Sequence, residues 1–279
     1  MLSSKSRSKA PAKKPSKPAQ QQMIDEIMRR FAAACPDPRC ELYYRTPFQL
    51  LLSVALSAQT TDKAVNAAMT ASYDAGLTPE SVVAMGEKNF LHLIRRIGLA
   101  PTKAKRAVAL ARILIAQHDS QVPQDRASLE ALPGVGRKTA SVVLGEIFRE
   151  PTLAVDTHVF RVTERLGLHH TKTADACSDV LTAIIGPQYL PTAHHWLVLH
   201  GRYVCKARAP MCADCALNDL CPSATLTPQA AARKTSQRAA LKTVLKTLKR
   251  ADATVALPAA KAPRRARATA AATPAAVNR

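Results

Sequence analysis

Residues 48–58, FQLLLSVALSA, leave little freedom to any fold that contains them. As a helix the segment is apolar almost all round, and such a helix has to be buried on every side. Thr46-Pro47 opens it, with the Thr46 hydroxyl as N-cap and Pro47 in the first turn. A central helix needs other helices around it. Gln21–Ala34 places Met23, Ile24, Ile27, Met28 and Phe31 at helical spacing. Further helices are expected over Asp62–Tyr73, Thr78–Met85, Glu87–Ile97 (closed by Gly98) and Lys103–His118. The last puts Ala104, Val108, Ala111 and Ile115 on one face, with Lys105, Arg106 and Arg112 turned away. No strand-like alternation bounded by turn signals appears. The fold class is therefore all-α, built of short helices and short loops.

The 279 residues are 47% hydrophobic, enough for a packed core. No apolar run reaches the roughly 18–20 residues that span a bilayer, so no membrane partner is expected. The basic N-terminus lacks the apolar segment of a secretory signal. Pro11, Pro15 and Pro18 argue against the amphipathic helix of a transit peptide. The expected location is cytoplasmic, on the nucleoid if the source is bacterial, with the nucleus left open. The net charge of +20 is unevenly placed. Residues 1–22 carry six Lys/Arg and no acid, and residues 222–279 carry twelve and one acid, Asp252. These +6 and +11 leave only +3 to the middle. Such tails suit a polyanion, because neutralising phosphates releases counterions. Aromatics at 4% are too few for a typical single-strand binder, which stacks bases on several rings, so duplex DNA fits better. Residues 1–20 and 251–279 read as disordered, and 229–250 as a basic amphipathic helix with Leu241, Val244, Leu245 and Leu248 on one face.

Four of the seven cysteines, Cys205, Cys212, Cys215 and Cys221, fall within 17 residues as C-x6-C-x2-C-x5-C. In a chain without a secretory signal this pattern means a metal site, not disulfides. Zinc and a [4Fe–4S] cluster both take four thiolates, and the spacing alone leaves the choice open. Cys35, Cys40 and Cys177 are scattered and read as small buried apolar residues.

Residues 128–149 form a helix, a tight Pro133–Gly136 hairpin and a second helix over Arg137–Phe148. Gly134 and Gly136 let backbone N–H groups point outward beside a helix N-terminus, a seat for an anion. Arg137 and Lys138 are placed where the backbone is already positive, which a bound phosphate would explain. A partly desolvated lysine there loses its proton more readily and becomes a nucleophile. Asp156 precedes a helix over Val159–Leu166, where it can serve both as N-cap and as carboxylate partner.

LPGVGRKTA (132–140), AVDTHVFRV (154–162), HHWLVLHGRYVC (194–205), LLSVALSAQTTD (51–62), IGLAPTKA (97–104) and the cysteine run resemble, in themselves and in their order along the chain, the endonuclease III family of helix-hairpin-helix DNA glycosylases with AP-lyase activity. The likeness covers roughly residues 22–221. It implies a helix-hairpin-helix glycosylase fold with two helical subdomains and a cleft between them. One subdomain is 21–40 plus 151–221, around the cluster; the other is 41–150, six helices including the hairpin. It implies Lys138 as the Schiff-base nucleophile and Asp156 as the carboxylate that assists base departure and proton transfer. Gly134, Val135 and Gly136 become the phosphate-binding hairpin, and Gln59 and Leu99 the wedge into the duplex. Arg137, His158, Lys206 and Arg208 join the expected DNA contacts, and the four cysteines become ligands of a [4Fe–4S] cluster. The implied partner is double-stranded DNA carrying damaged pyrimidines or abasic sites, and the implied state is a monomer.

Two other readings fit less well. An adenine-mismatch glycosylase shares the fold and cysteine spacing, but lacks the lysine and carries an added C-terminal domain, for which 222–279 are too short and too biased. A non-catalytic DNA-binding or electron-transfer protein would not need both Lys138 and Asp156.

Overall fold

In the computed structural model the described residues are 17–224. They form ten α-helices and one 3-10 turn, with no strand among them. The helices are α1 (Lys17–Ala34), α2 (Pro47–Leu56), α3 (Asp62–Asp74), α4 (Pro79–Leu93), α5 (Ala100–His118), α6 (Arg126–Ala131), α7 (Arg137–Ile147), α8 (Thr157–Arg165), α9 (Ala174–Ile184) and α10 (Leu190–Tyr203). Residues 1–16 and 225–279, with the helix expected over 229–250, lie outside the described residues, while α1 begins at Lys17, four residues before the expected Gln21 and inside the stretch 1–20 expected to be disordered.

The central helix is α2. Thr46 caps it, its hydroxyl accepting from the Gln49 N–H. Leu50, Leu51, Leu52 and Leu56 are at most 1% exposed. Its two buried polar side chains are paired with the end of α3: Gln49 Nε2 donates to the carbonyls of Tyr73 and Leu77, and Ser53 Oγ shares a hydrogen with the Tyr73 hydroxyl at 2.8 Å. A helix buried on all sides thus leaves no polar group without a partner.

The expected helices over 78–85 and 87–97 are two arms of α4, joined at Gly86, whose φ of +72° breaks the helix. The second arm stops at Leu93, because a turn from Ile94 to Ile97 buries both isoleucines. α5 starts three residues earlier than expected, with Pro101 in its first turn. Ile115 is not on its core face: it is 37% exposed, while Leu114 is fully buried. A 3.6-residue period carries the apolar stripe from Ala111 to Leu114. α6 starts at Arg126 because the Asp125 carboxylate, not Ser128, caps it and accepts from the Ser128 N–H at 2.8 Å.

The buried apolar side chains fall into two clusters. One runs from Leu42 to Ala154, centred on α2. The other joins α1 (Ile24, Ile27, Met28, Phe31) to residues from Leu153 to Leu217. Cys177 is buried in the second; Cys35 and Cys40 are only partly buried. The Cys40 thiol is pushed up to about 12, chiefly by burial, and so is inert. The helices pair as α4 on α5, α8 on α10, and α2 on α7.

Candidate active site

Asp156 reaches its place at the end of an extended strap, residues 152–155, which is tied to three helices. Thr152 Oγ1 donates to the Ser141 carbonyl in α7 (2.9 Å), Ser178 Oγ in α9 donates to the Leu153 carbonyl (2.7 Å), and His194 Nδ1 in α10 lies 3.0 Å from the Ala154 carbonyl. Asp156 then caps α8: its Oδ1 accepts from the N–H groups of His158 (2.8 Å) and Val159 (2.7 Å). The second oxygen, Oδ2, accepts no hydrogen bond from a described residue, so the charge is held in place without being used up. α8 lies against α10 at Gly201, where a Cβ would come within 2.7 Å of His158 Cβ.

Lys138 sits in the first turn of α7, and it lines the same cavity as Asp156 and His158. That cavity measures about 630 Å³, within the range of ligand pockets. The Lys138 side chain is exposed, contrary to the expected partial desolvation. Three further charged residues line this cavity, Asp62, Lys172 and Arg202. Burial raises the Asp62 carboxyl above its ordinary value, Lys138 pulls it down, and Asp156 pushes it up. Arg202 holds Asp62 at 2.6 Å and also pairs with Glu41. Sequence reasoning placed Asp62 only as a helix start; its position in the quoted SAQTTD motif was the available signal.

The hairpin between α6 and α7 has two different glycines. Gly134 has φ +85°, a conformation that side chains resist, and an added Cβ would press on Arg106 Cδ at 3.3 Å. Gly136 is extended at φ −108°, and a Cβ there would meet nothing within 4 Å. The fold does not demand glycine at 136, but a ligand approaching the first N–H groups of α7 would. Val135 is 6% exposed and can offer only its backbone. Arg137 does not turn toward the hairpin: in this structure it is paired with Asp179 of α9, with Asp175 at 4.0 Å. All three side chains are solvent-exposed, so these are weak surface pairs.

Gln59 and Leu99 are both left-handed (φ 54° and 60°), an uncommon state for residues other than glycine. They line one cavity of about 130 Å³ beside Gly134. Leu99 is 57% exposed, a large apolar side chain held out in solvent. Their backbones are cross-tied: Lys103, 7% exposed, donates from Nζ to the Ala58 carbonyl (2.7 Å) and from its N–H to the Leu99 carbonyl (3.0 Å), while Gly98 N–H donates to Thr60 Oγ1 (3.2 Å). Strain of this kind persists only where surrounding structure enforces it.

Cys205, Cys212, Cys215 and Cys221 all line a third cavity, of about 230 Å³. Two arginines of α8 fasten the loop after Cys205. Arg161 donates to the carbonyls of Cys205 and Gly201. Arg165 donates to the Cys205 sulfur (3.3 Å) and to the carbonyls of Lys206 and Ala207. Lys206 and Arg208 are exposed on that loop. Leu217 N–H donates to Cys215 Sγ at 3.4 Å. Burial pushes the Cys215 and Cys221 thiols up, and the neighbouring cysteines push the same way. Four thiolates in such a place need a compensating cation. Among the described residues no three His, Cys, Asp or Glu side chains close on a single-ion position. Four cysteine sulfurs around one cavity are a donor set that suits zinc or an iron–sulfur cluster.

The family model of the HhH-GPD superfamily base excision DNA repair proteins matches residues 52–186, which contain the hairpin, Lys138, the strap and Asp156. Fold and site thus define a base-excision repair protein of the helix-hairpin-helix type. Over 198 residues the chain is 46% identical to endonuclease III of Treponema pallidum, covering 71% of this chain and 94% of the relative. Over 196 residues it is 45% identical to endonuclease III of Escherichia coli, covering 70% and 93%. The solved structure of a trapped endonuclease III–DNA covalent intermediate superposes with a TM-score of 0.69 at 40% identity, covering 73% of this chain and 96% of that one. The chain belongs to the endonuclease III family. A thermostable thymine-DNA glycosylase, 20% identical with a TM-score of 0.66, shares the fold.

Proposed function

We propose that this protein removes oxidised pyrimidines from duplex DNA and then cleaves the abasic site by β-elimination, with Lys138 as nucleophile and Asp156 as its carboxylate partner. The observation that carries this reading is that Lys138 and Asp156, 18 positions apart, line one cavity large enough for an extruded nucleotide. The target C1′ is inaccessible in stacked DNA, so the nucleotide has to be flipped out, at a cost of a few kcal/mol. Gln59 and Leu99, held out in left-handed turns, are suited to fill the gap. The bare backbone at Gly134–Gly136 is suited to a phosphate.

As the C1′–N bond breaks, the base leaves with the electron pair and positive charge builds at the sugar. The fixed Asp156 carboxylate stabilises it. The neutral Lys138 amine attacks C1′, and its surplus proton passes to a base such as Asp156. The C1′–O4′ bond then breaks as O4′ takes a proton from that base, leaving a ring-opened iminium; this acidifies C2′–H, and loss of that proton expels the 3′-phosphate and breaks the strand.

The family binds a [4Fe–4S] cluster, and in this chain we assign it to Cys205, Cys212, Cys215 and Cys221. When bound, the group cross-links the loop that carries Lys206 and Arg208 to the chain around Cys221, a structural contribution. The same reading makes the two apolar clusters the cores of two subdomains with the cleft between them. The test has two arms. A duplex with one oxidised pyrimidine, incubated with the purified protein, is expected to lose the base and to be cut 3′ to it. The protein itself is expected to be brown and to yield iron and sulfide. An uncut duplex would refute the activity, and a colourless zinc-loaded protein would refute the cluster.

A further inference from the structure

The two adjacent histidines of α10 are not used by the chemistry above, yet each grips a different part of the site. His195 is 8% exposed, and its Nε2 lies 2.7 Å from Glu146 Oε2. Glu146 is on α7, the helix that carries Lys138 in its first turn, and its other oxygen accepts from the Tyr44 hydroxyl at 2.6 Å. His194 Nδ1 lies 3.0 Å from the Ala154 carbonyl, two residues before Asp156. A carbonyl only accepts, so His194 carries its hydrogen on Nδ1. His194 and His195 also line a small cavity shared with Lys138 and Asp156.

We propose that His194 and His195 act as a spacer: joined side by side on one helix turn, they fix the separation of Lys138 from Asp156, so that both are positioning residues for the reaction. The proposal rests on the functional reading given above. Asp156 is rigid relative to α8, because it caps that helix; what sets its place relative to α7 is the strap. Of the strap's three ties, the one at Thr152 reaches α7 directly through the Ser141 carbonyl, and the one at Ala154, nearer to Asp156, reaches it through the neighbouring His195 and its bond to Glu146. A lost tie there lets the carboxylate drift, and a shift of about 1 Å can cost as much as a hundredfold in rate. Burial pushes the His194 imidazole down to about 4, and the facing charges of His195 and Lys138 act in the same direction, against Asp156 and the hydrogen bond to the Ala154 carbonyl. The ring therefore stays neutral at physiological pH, so this tie adds no charge to the site.

The test compares His194→Asn with His194→Gln in the full-length, cluster-loaded protein. Asn places its amide N–H near the position of Nδ1, and Gln places it near Nε2. The two variants are alike in polarity and differ in whether the tie to Ala154 can form. Single-turnover base release from a duplex with one oxidised pyrimidine is expected to fall by about tenfold or more in His194→Gln and to stay within a few-fold of wild type in His194→Asn. Affinity for a duplex with a reduced abasic site is expected to be unchanged in both. Equal rates in the two variants, whether both slow or both fast, would overturn the proposal. A wild-type protein inactive on the lesion duplex would instead refute the functional reading itself, and this proposal with it.

Discussion

Asp156 is assigned two tasks, and substitution can separate them. As a cap it uses one oxygen, Oδ1, which takes the His158 and Val159 N–H groups at 2.8 and 2.7 Å. As a catalytic group it uses its charge. Asp156→Asn keeps an acceptor oxygen, and Asn is as good an N-cap as Asp. The lost interaction with the helix dipole costs about 0.3–1 kcal/mol. Asp156→Ala removes the acceptor and costs about 0.5–2 kcal/mol. For a structure of this size, each kcal/mol lowers Tm by about 2–4 °C. Thermal unfolding should therefore place Asn close to wild type, with Ala at or below it. Turnover should tell the opposite story: both variants should lose at least about tenfold in single-turnover base release, as expected when a positioned acid–base group is removed. An Asn variant with undiminished turnover would reduce Asp156 to a cap. An Asn variant several degrees less stable than Ala would show that the Oδ1 geometry is not what holds α8.

Two further predictions concern stability. Gly201→Ala brings a methyl within 2.7 Å of His158 Cβ and 3.2 Å of its Cα, so backbone has to move; urea unfolding should show a loss of about 1–3 kcal/mol, and an unchanged midpoint would mean that α8 and α10 do not meet as described. Glu146 is held down to about 2, first by the His195 hydrogen bond and also by Tyr44, against burial. A carboxyl depressed in the folded state stabilises above its unfolded value near 4.5, and that stability is lost as pH falls toward 2, a total of about 3 kcal/mol. The deficit of Glu146→Gln in urea unfolding should therefore be larger at pH 5.5 than at pH 3, and a deficit that grows on acidification would contradict the pairing.

Much of the fold was legible because it is local. The all-round apolar α2, its Thr46 cap, the Asp156 cap and the break at Gly86 follow from residues within one or two turns of each other. What stayed hidden was set by contacts across the chain. Arg137 reads as a cation for the hairpin, but Asp179, 42 residues on, takes it. Asp62 reads as a first-turn acid, but Arg202, 140 residues away, holds it beside Lys138. The left-handed turns at Gln59 and Leu99 have no glycine to announce them; the Lys103 and Thr60 ties hold them, and a lysine buried to 7% is not something its neighbours in sequence foretell. The cysteine spacing pointed to a metal, while the two arginines of α8 that fasten its loop lie 44 and 40 residues upstream of Cys205.

The central claim is that Lys138 forms the covalent bond to the sugar. Borohydride reduces an imine to a stable amine, so it should trap the native protein on a duplex containing an abasic site as a single covalent adduct, and Lys138→Ala, folded and able to bind the same duplex, should give none. An adduct of equal yield from both proteins would contradict the account.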